Sequence, residues 1–548
     1  MPQEPGDRLD SWKEIAAYLQ RGVRTVRRWE RQEGLPVHRH MHHTLGSVYA
    51  YKSEIDTWQR TLRGPSVLPS SRAGRASTPA EGSLKSIAVL PFSSLSTDPE
   101  NEFFADGLTD EVTSDLSHVA ALRVISRTSA MTFKGTTKDV KSIARDLGVR
   151  YVLEGSVRRA GDRLRVTAQL IDASSDDHLW SDKFEGSVSE VFAIQERIAR
   201  VIVEALAVRV TPAEDRQLAR HGIENVHAYE CYLRARQQAW RWRNDAITHA
   251  IQLLHNGLAL VGANARLYAA LGHAHLQYRE AGLDLSARPV EEAEACVRNV
   301  FALEPGCASG LQLRGWVHYS RGLVQDAVVD LKSALELEPN NADTLLLLVN
   351  CYLISGRVSA ARPLIGRLLA VDPLTPLSRC TPAFADVMDG DFEHAVEPYR
   401  QMFEMDPGNP MARLFYVWIL ALTGDRESID DVLETFPQEV RRTISARLTF
   451  FIAHAASGNA AAAHAVVTPD VEAVAHAADM FPRIIAQGYA LAGMPERALH
   501  WLAIAVGRGF INYPFLAQHD PCFLRMRDHP RFQELMEVVH TRWSAFKE

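Results

Sequence analysis

The stretch GLVQDAVVDLKSALELEP, residues 322–339, decides the fold of more than half of the chain, because its landmarks recur every 34 residues. Its opening glycine recurs at Gly356, Gly390, Gly424 and Gly458. Its closing acid-proline pair has counterparts at residues 304–305, 372–373 and 406–407. Alanine follows most of these glycines by five residues, with Ile429 as the exception. Such a period predicts helix pairs: glycine makes the turn, alanine lets two helices approach, and the acid-proline pair separates successive units.

This 34-residue unit is identified as the tetratricopeptide repeat. It predicts an all-α solenoid over residues 225–548, with repeats to about residue 507 and a terminal capping helix pair after them. A solenoid of about seven helix pairs has a concave groove, so we expect a protein or peptide partner there. Aromatic residues along the repeats are expected to be packing residues rather than ligand contacts: Trp240, Trp242, Trp316, Tyr319 and Tyr352.

Residues 84–210 predict an α/β domain with a mixed sheet. KSIAVLPF, residues 85–92, holds a continuous apolar run closed by Pro91, which is typical of a strand buried on both faces. A helix is expected near residues 102–118, a strand at residues 122–126 and a helix that Gly148 stops. A hairpin then turns at residues 160–162, and a further strand holds Trp180 and Phe184. With a closing helix, the predicted order is β-α-β-α-β-β-β-α.

This middle segment closely resembles the TolB amino-terminal-like domain, also described as FlgO-like. The resemblance covers about 125 residues, in the stretches IAVLPFSSLSTDPENEFFADGLTDE, LRVISRTS, LGVRYVLEGSVRRAGDRLRVTAQLIDA and DHLWSDKFEG. It implies a binding or assembly module without catalysis.

Three carboxylates in this segment, Asp106, Asp110 and Glu111, could in principle perform paired acid-base chemistry. We expect instead that they are first-turn acids stabilised by the helix dipole. The motifs of phosphate loops, dinucleotide-binding folds, zinc proteases and serine hydrolases are absent from the sequence. The sequence therefore predicts no catalytic residues and no cofactor.

Residues 1–63 form a separate module, because residues 64–83 are rich in Ser, Pro, Gly and Ala and predict a flexible linker. Asp10 or Ser11 can cap a first helix, and Gly22 allows a tight turn before a second. The second helix has Val26 and Trp29 on one face and mostly cations on the other. The segments LPVHRHMHH and SVYAY are predicted to form the two strands of a wing, followed by a packing helix. The pattern predicts a small winged helix-turn-helix.

The head, residues 1–63, resembles the MerR-like and excisionase-like DNA-binding domains. The resemblance rests on Val23, Thr25, Val26, Arg27, Trp29 and Glu30, followed by Gly34-Leu35-Pro36. It implies that the second helix enters the major groove and that the wing contacts phosphates, so double-stranded DNA is the expected partner. The DNA-binding residues it implies are Arg24, Thr25, Arg27, Arg28 and Arg31 on the helix and Arg39, His40 and Lys52 on the wing. It also implies a homodimer, since MerR-like heads often act as dimers.

Four histidines on the wing raise the question of a metal site. Strand alternation sends His38, His40 and His42 to one face and His43 to the other. Because a metal needs three or four ligands that converge on one point, we expect no metal and interpret the histidines as donors near phosphates.

Charge is divided unequally along the chain. The head has 11 basic and 8 acidic side chains and a formal charge of +3, which leaves −10 for the rest of a chain whose total is −7. Nucleic-acid contact is therefore expected in the head alone. The six scattered cysteines suit reduced thiols. With no apolar leader at residue 1 and no run of eighteen apolar residues, the sequence predicts a cytoplasmic protein without a membrane span.

Taken together, the sequence predicts a bacterial transcriptional regulator with a DNA-binding head and a body that senses or docks a protein. One alternative is a protein-interaction scaffold in which the head contacts protein. Another is a non-catalytic accessory of a signalling system, because TolB-like and tetratricopeptide segments also resemble the tails of nucleotide cyclases and of some kinases. Neither catalytic domain fits into the first 83 residues.

Overall fold

A computed structural model of the chain describes residues 8–9, 11–19, 35–40, 47–52, 54–55, 84–95, 102–218, 222–239 and 243–548. The chain divides into two compact units, residues 1–82 and residues 83–548. The predicted linker at residues 64–83 and the predicted second helix of the head lie outside the described residues. Among the described helices, none is long and apolar enough to cross a membrane.

The first unit contains a small three-stranded sheet and a helix. The elements are β1 (Arg8–Leu9), α1 (Trp12–Leu19), β2 (His38–His40) and β3 (Ser47–Tyr51), with β3 central and antiparallel to both neighbours. Ser11 caps α1, since its hydroxyl accepts a hydrogen bond from the Glu14 amide at 3.2 Å. A small core is formed by Leu9, Ile15, Leu35, Ala50 and Ile55. β2 and β3 thus form a hairpin at the positions where the sequence predicts two strands.

The second unit begins with the α/β module. Its strands are β4 (Lys85–Val89), β5 (Ser93–Ser94), β6 (Leu122–Val124), β7 (Tyr151–Ala160), β8 (Arg163–Asp172) and β9 (Asp177–Ser187). Its helices are α2 (Glu102–Ser117), α3 (Arg127–Met131), α4 (Val140–Leu147) and α5 (Val191–Ala205). The sheet has the order β6-β4-β7-β8-β9, with β5 beside β7. The predicted mixed sheet is confirmed; β5 and α3 are additions to the predicted order.

The sheet is covered on both faces. Ile87 and Val89 pack in one core with residues of α2 and α5, whereas Ala88 and Leu90 pack in another core with residues of α4. This is the arrangement expected of a strand whose sequence is one continuous apolar run. Gly148 ends α4 with a φ of +65°, as predicted. The larger core continues into the first helices of the solenoid.

A short helix, α6 (Pro212–Leu218), precedes the solenoid. The first repeats comprise α7 (Val226–Ala239), α8 (Asn244–Val261), α9 (Ala265–Glu280), α10 (Arg288–Leu303), α11 (Ala308–Ser320), α12 (Val324–Leu337), α13 (Ala342–Ile354), α14 (Val358–Val371), α15 (Pro376–Met388) and α16 (Phe392–Met405). The later part comprises α17 (Pro410–Thr423), α18 (Arg426–Glu434), α19 (Ile444–Ala456), α20 (Ala460–Val466), α21 (Pro469–Ala477), α22 (Phe481–Leu491), α23 (Pro495–Gly507) and α24 (Pro530–Ala545). Gly322, Gly356 and Gly390 have φ values of +75°, +68° and +89°, which explains why glycine occupies these turns.

The prediction of a terminal capping helix pair is wrong. After α23 the chain forms short irregular turns at residues 515–526 and a single last helix, α24. This segment lies across the turns of earlier repeats: the Ile511 amide donates to the Ile354 carbonyl at 3.0 Å, and Arg357 donates to carbonyls of Trp543 and Phe546. The chain end therefore packs along earlier repeats as well as against the last one, where Arg542 donates to the Val506 carbonyl.

Candidate functional site

The predicted DNA-binding residues of the head fall largely outside the described part of the chain. Those outside it are Arg24, Thr25, Arg27, Arg28 and Arg31. Arg39 and His40 lie in β2, where they pair with Val48 and Ser47 of β3. Lys52 follows β3, and its Nζ lies 5.8 Å from the centre of the Tyr18 ring. The arrangement of the predicted groove-facing residues thus stays a prediction.

Of the wing histidines, His38 has a described environment. Its Nε2 lies 2.7 Å from Glu54 Oε2, and its ring stacks on Tyr49 at 5.2 Å between centroids. In the described residues, no group of three or more His, Cys, Asp or Glu side chains could hold a metal ion. His42 and His43 lie outside those residues.

Two cavities in the described part of the body have similar volumes, about 490 and 460 Å³. The first lies between α2 of the α/β module and the early repeats, and many of the side chains that line it are charged or polar. We call it the polar cavity. The second lies against helices α11, α13, α15 and α17 and is lined mainly by aromatic and aliphatic side chains. We call it the apolar cavity.

Asp110 and Asp115 of α2 line the polar cavity together with Arg236 and Arg266 of the solenoid. Asp110 Oδ2 lies 2.9 Å from Arg236 Nη2, and Glu111 pairs with Arg266. Asp106 pairs with Lys134 Nζ at 2.7 Å and accepts a hydrogen bond from Gln237. The prediction that these acids belong to the first turn of the helix is wrong, because α2 begins at Glu102. Their pairing with α7 and α9 explains why they are tolerated at buried positions.

The same enclosure shifts several pKa values. Burial, with a smaller contribution from Glu111, raises the pKa of Asp115 to about 7. Burial and the nearby Arg236 lower the pKa of His273 to about 4. Near pH 7 the imidazole of His273 is therefore neutral, and the cations of this cavity already have carboxylate partners.

The α/β module is attached to the solenoid through the acid-proline loops that mark the repeat period. Ser129 Oγ donates to Asp372 Oδ1 at 2.7 Å, and Ser126 also donates to this carboxylate. One repeat earlier, His118 Nε2 lies 3.1 Å from Glu338 Oε1. The periodic acids therefore serve as attachment points for the module as well as helix boundaries.

Three of the turn glycines on the other side of the repeats contact the chain end. A Cβ at Gly322 would lie 2.8 Å from the Gly507 carbonyl oxygen, and one at Gly356 would lie 2.7 Å from Asn512 Oδ1. A Cβ at Gly390 would lie 2.6 Å from His519 Nδ1. A Cβ at Gly424 or Gly458 would meet no atom within 4 Å. Three successive repeats thus accept the returning chain end, and two later ones do not.

The apolar cavity is bounded on its far side by residues 474–483 and by Arg508 and Phe510. Arg508 holds this boundary, since its Nη2 donates to the Ala477 carbonyl at 3.0 Å and to Asp479 Oδ1 at 2.5 Å. Trp316 and Tyr319, which the sequence analysis assigned to packing, line the cavity. They are therefore placed to contact a ligand. Tyr352 is buried as predicted, whereas Trp240 and Trp242 lie outside the described residues.

One of the arginines that line this cavity, Arg483 on α22, was not among the predicted site residues. It is 4% exposed and has no hydrogen bond or ion pair with any described residue, and its Nη1 atom is buried without a partner. The sequence signal that could have identified it is one arginine in the otherwise uncharged helix FPRIIAQGYAL, residues 481–491. Buried arginines are usually paired, so this one is a candidate ligand contact.

Two family models match the chain. Residues 83–201 match the second domain of HilA/YgeH-like transcriptional regulators, and residues 318–378 match the tetratricopeptide repeat. The chain carries tetratricopeptide repeats and a HilA/YgeH-like regulator domain. The predicted repeats are confirmed. The MerR-like character of the head stays a prediction.

One curated relative is a Rhizobium meliloti (strain 1021) protein named "Putative adenylate cyclase 3", 41% identical over 186 residues. The match covers 34% of this chain and 32% of that protein, so the chain spans about a third of the relative's length. Among solved structures, a thermophilic tetratricopeptide repeat protein of Thermus thermophilus is 20% identical, with 35% of this chain and 98% of that chain covered and a TM-score of 0.30. TolB of Acinetobacter baumannii is 21% identical, with coverage of 23% and 28% and a TM-score of 0.18.

Proposed function

We propose that the chain is a DNA-binding transcriptional regulator whose head binds duplex DNA and whose body docks a protein or peptide partner. The observation that carries this proposal is the match of residues 83–201 to a domain of transcriptional regulators, directly after a head with a net positive charge. The formal charge of −10 over residues 64–548, in a chain whose total is −7, favours DNA contact through the head alone. The tetratricopeptide repeats support the protein-binding part.

The proposed contacts divide into two kinds. Arg24, Thr25, Arg27 and Arg28 face the major groove, where arginine pairs with guanine edges, and Arg31 supports them from the same helix. Arg39, His40 and Lys52 contact phosphates, which position the head without reading sequence.

The test measures binding of the full chain to a pool of mixed-sequence DNA duplexes as the salt concentration rises. With four to six phosphate contacts, the logarithm of the binding constant should fall with the logarithm of salt with a slope of about −4 to −5. A slope near zero would overturn the DNA-binding proposal.

Variants then separate groove from phosphate contacts. Arg27→Ala with Arg28→Ala should relax the sequence preference and cost about 1–3 kcal/mol for each arginine that pairs with a base. Arg39→Ala should weaken all sequences about equally. A matched control, Arg163→Ala with Arg165→Ala, removes two exposed cations from β8 of the body and should leave DNA affinity unchanged. Equal losses in the control would show that the effect is one of net charge.

A second function has one observation in its favour: the relative named as an adenylate cyclase. In this alternative, the chain is a non-catalytic accessory or scaffold of a signalling enzyme. If this alternative is correct, the Arg27→Ala and Arg28→Ala variants should keep every cellular phenotype of the parent. Incubation of the purified chain with ATP should yield no cyclic nucleotide under either proposal, and any yield would contradict both.

A further inference from the structure

Arg483 is enclosed by aromatic rings in the apolar cavity. Its guanidinium carbon lies 4.8 Å from the centre of the Trp418 ring, 5.2 Å from that of Phe510 and 5.6 Å from that of Phe384. These cation–π contacts offset part of the cost of burial, at about 0.5–2 kcal/mol each. They leave the N–H donors of the guanidinium without acceptors.

The chain offers Arg483 no direct counter-ion among the described residues. The buried Asp520 carboxylate interacts with Arg483 electrostatically but forms no ion pair with it. Its oxygens are already engaged: Oδ2 accepts from Gln487 Nε2 at 2.7 Å, and Oδ1 accepts from the Cys522 amide at 3.0 Å. Burial also lowers the pKa of Arg483. A buried cation with unfilled donors is costly, and its presence calls for a partner.

A second unfilled polar group lines the same cavity. Tyr399 is 3% exposed, and its hydroxyl has no hydrogen-bond partner among the described residues. Its ring lies 6.2 Å from the Trp418 ring, edge to face, and it interacts electrostatically with Arg483. A planar anion between these groups could accept from the guanidinium and from the hydroxyl together.

We propose that the apolar cavity binds a small monocarboxylic acid with an apolar body. Arg483 and the Tyr399 hydroxyl donate to the carboxylate, and the apolar body lies against Trp418, Phe384 and Phe415. A volume of about 460 Å³ lies within the range of small-ligand pockets, which combine apolar walls with a few polar groups. This inference goes beyond the proposed function, since it assigns an effector site in addition to DNA and partner binding.

The other charged groups of the cavity leave one positive charge to be balanced. Glu280, Asp479, Arg279 and Arg508 line the same cavity as Arg483. Arg508 pairs with Asp479, and Arg279 donates to backbone carbonyls of Ser286 and Ala477. Arg483 has no such partner among the described residues, so a ligand with a single negative charge balances it. A monocarboxylate supplies that charge.

The experiment titrates the full chain with decanoate and, separately, with decanol, and follows tryptophan fluorescence. Decanoate should bind saturably and change the emission of Trp418. Decanol lacks the carboxylate and so cannot form a charge-assisted hydrogen bond, which contributes roughly 1.5–3 kcal/mol. We therefore expect decanol to bind at least ten-fold more weakly. 4-Phenylbutanoate and hexanoate serve as further carboxylates of different shape. This comparison needs no variant, so it holds even if a substitution impairs folding.

Variants then assign the anion contact. Arg483→Met should weaken decanoate about thirty-fold or more, and Tyr399→Phe about five-fold. Arg497→Met is the matched control, because Arg497 is exposed and stacks on Tyr489 outside the cavity; it should leave the dissociation constant unchanged. Any one of three results would overturn the proposal. Decanol could bind as tightly as decanoate, or Arg483→Met could bind decanoate as tightly as the parent does. The third such result is that none of the three carboxylates binds at millimolar concentration. DNA binding takes no part in this assay, so its outcome is separate from that of the proposed function.

Discussion

Two arginines in the described part of the solenoid are buried in aromatic surroundings, and they differ in the hydrogen-bond partners of their donors. Arg413 on α17 is 2% exposed and lies 4.8 and 4.7 Å from the ring centres of Phe403 and Phe436. Its guanidinium makes five hydrogen bonds, to carbonyls of Pro407, Val432 and Thr435 and to the Thr435 hydroxyl. Arg483 is equally buried and stacked but makes none with the described residues. Burial alone therefore does not reveal the role of an arginine.

The difference has a physical interpretation. Arg413 joins the loop before α17 to the end of α18, so its charge is part of the fold. Arg483 forms no hydrogen bond with the described chain, and it lines a cavity large enough for a ligand. Natural proteins tolerate such unsatisfied groups mainly where function uses them.

The largest effect is expected at Arg413. Arg413→Met removes five hydrogen bonds and leaves buried carbonyls without donors, so the free energy of unfolding should fall by about 3–5 kcal/mol. Urea unfolding followed by the fluorescence of Trp418, on the same helix, measures the loss. A change below about 1 kcal/mol, as expected for Arg497→Met on the surface, would remove the contrast between the two arginines.

A smaller effect is expected where the chain end bounds the apolar cavity. Gly322→Ala would strain a turn with a φ of +75° and press against the backbone of Arg508, a cavity residue. We expect a loss of about 2–3 kcal/mol and faster proteolytic release of the chain end, together with weaker decanoate binding.

The matched control for this substitution is Gly458→Ala. Its φ is +81°, but the added Cβ meets nothing within 4 Å. Only the backbone strain remains, at about 1–2 kcal/mol. Equal effects at the two glycines would contradict the structural role assigned to the chain end.

The smallest effect concerns a paired charge between the α/β module and the solenoid. Burial lowers the pKa of His118, but the hydrogen bond and charge of Glu338, together with the charge of Asp115 and the Ser114 carbonyl, raise it, so the net shift is upward. A raised pKa means that the stabilisation is full below the unfolded-state value of about 6.5 and is lost as pH rises through the folded value. His118→Gln should cost about 1 kcal/mol near pH 6 and much less near pH 9. If the loss of stability caused by His118→Gln increased with pH, the ion pair between His118 and Glu338 could not be its cause.

Much of the fold could be predicted because it follows from residue patterns that repeat over short stretches of the sequence. The 34-residue spacing of glycines and acid-proline pairs predicts the helix pairs, and the apolar run before Pro91 predicts a strand covered on both faces. These patterns depend on residues close together in the chain, where backbone geometry alone fixes which side chains share a face.

The candidate site could not be predicted in this way. Arg483, Trp418 and Phe384 lie on three helices that are far apart in the sequence, and no spacing relates them. The acids of α2 were misassigned for the same reason, since their partners Arg236 and Arg266 come from the solenoid. The glycines predicted to form turns do form turns. Their contacts with the chain end could not be predicted, because these depend on the path of the chain after the last repeat.

The stability of Arg483→Met without ligand tests the central claim most directly. The protein is unfolded in urea, freed of any bound molecule by dialysis and refolded, and its unfolding midpoint is compared with that of the parent treated in the same way. If the arginine is kept for a ligand, removing an unpaired buried charge should leave the midpoint unchanged or raise it, by up to about 1–4 kcal/mol in free energy. A loss as large as that of Arg413→Met would contradict the claim and make Arg483 a structural residue.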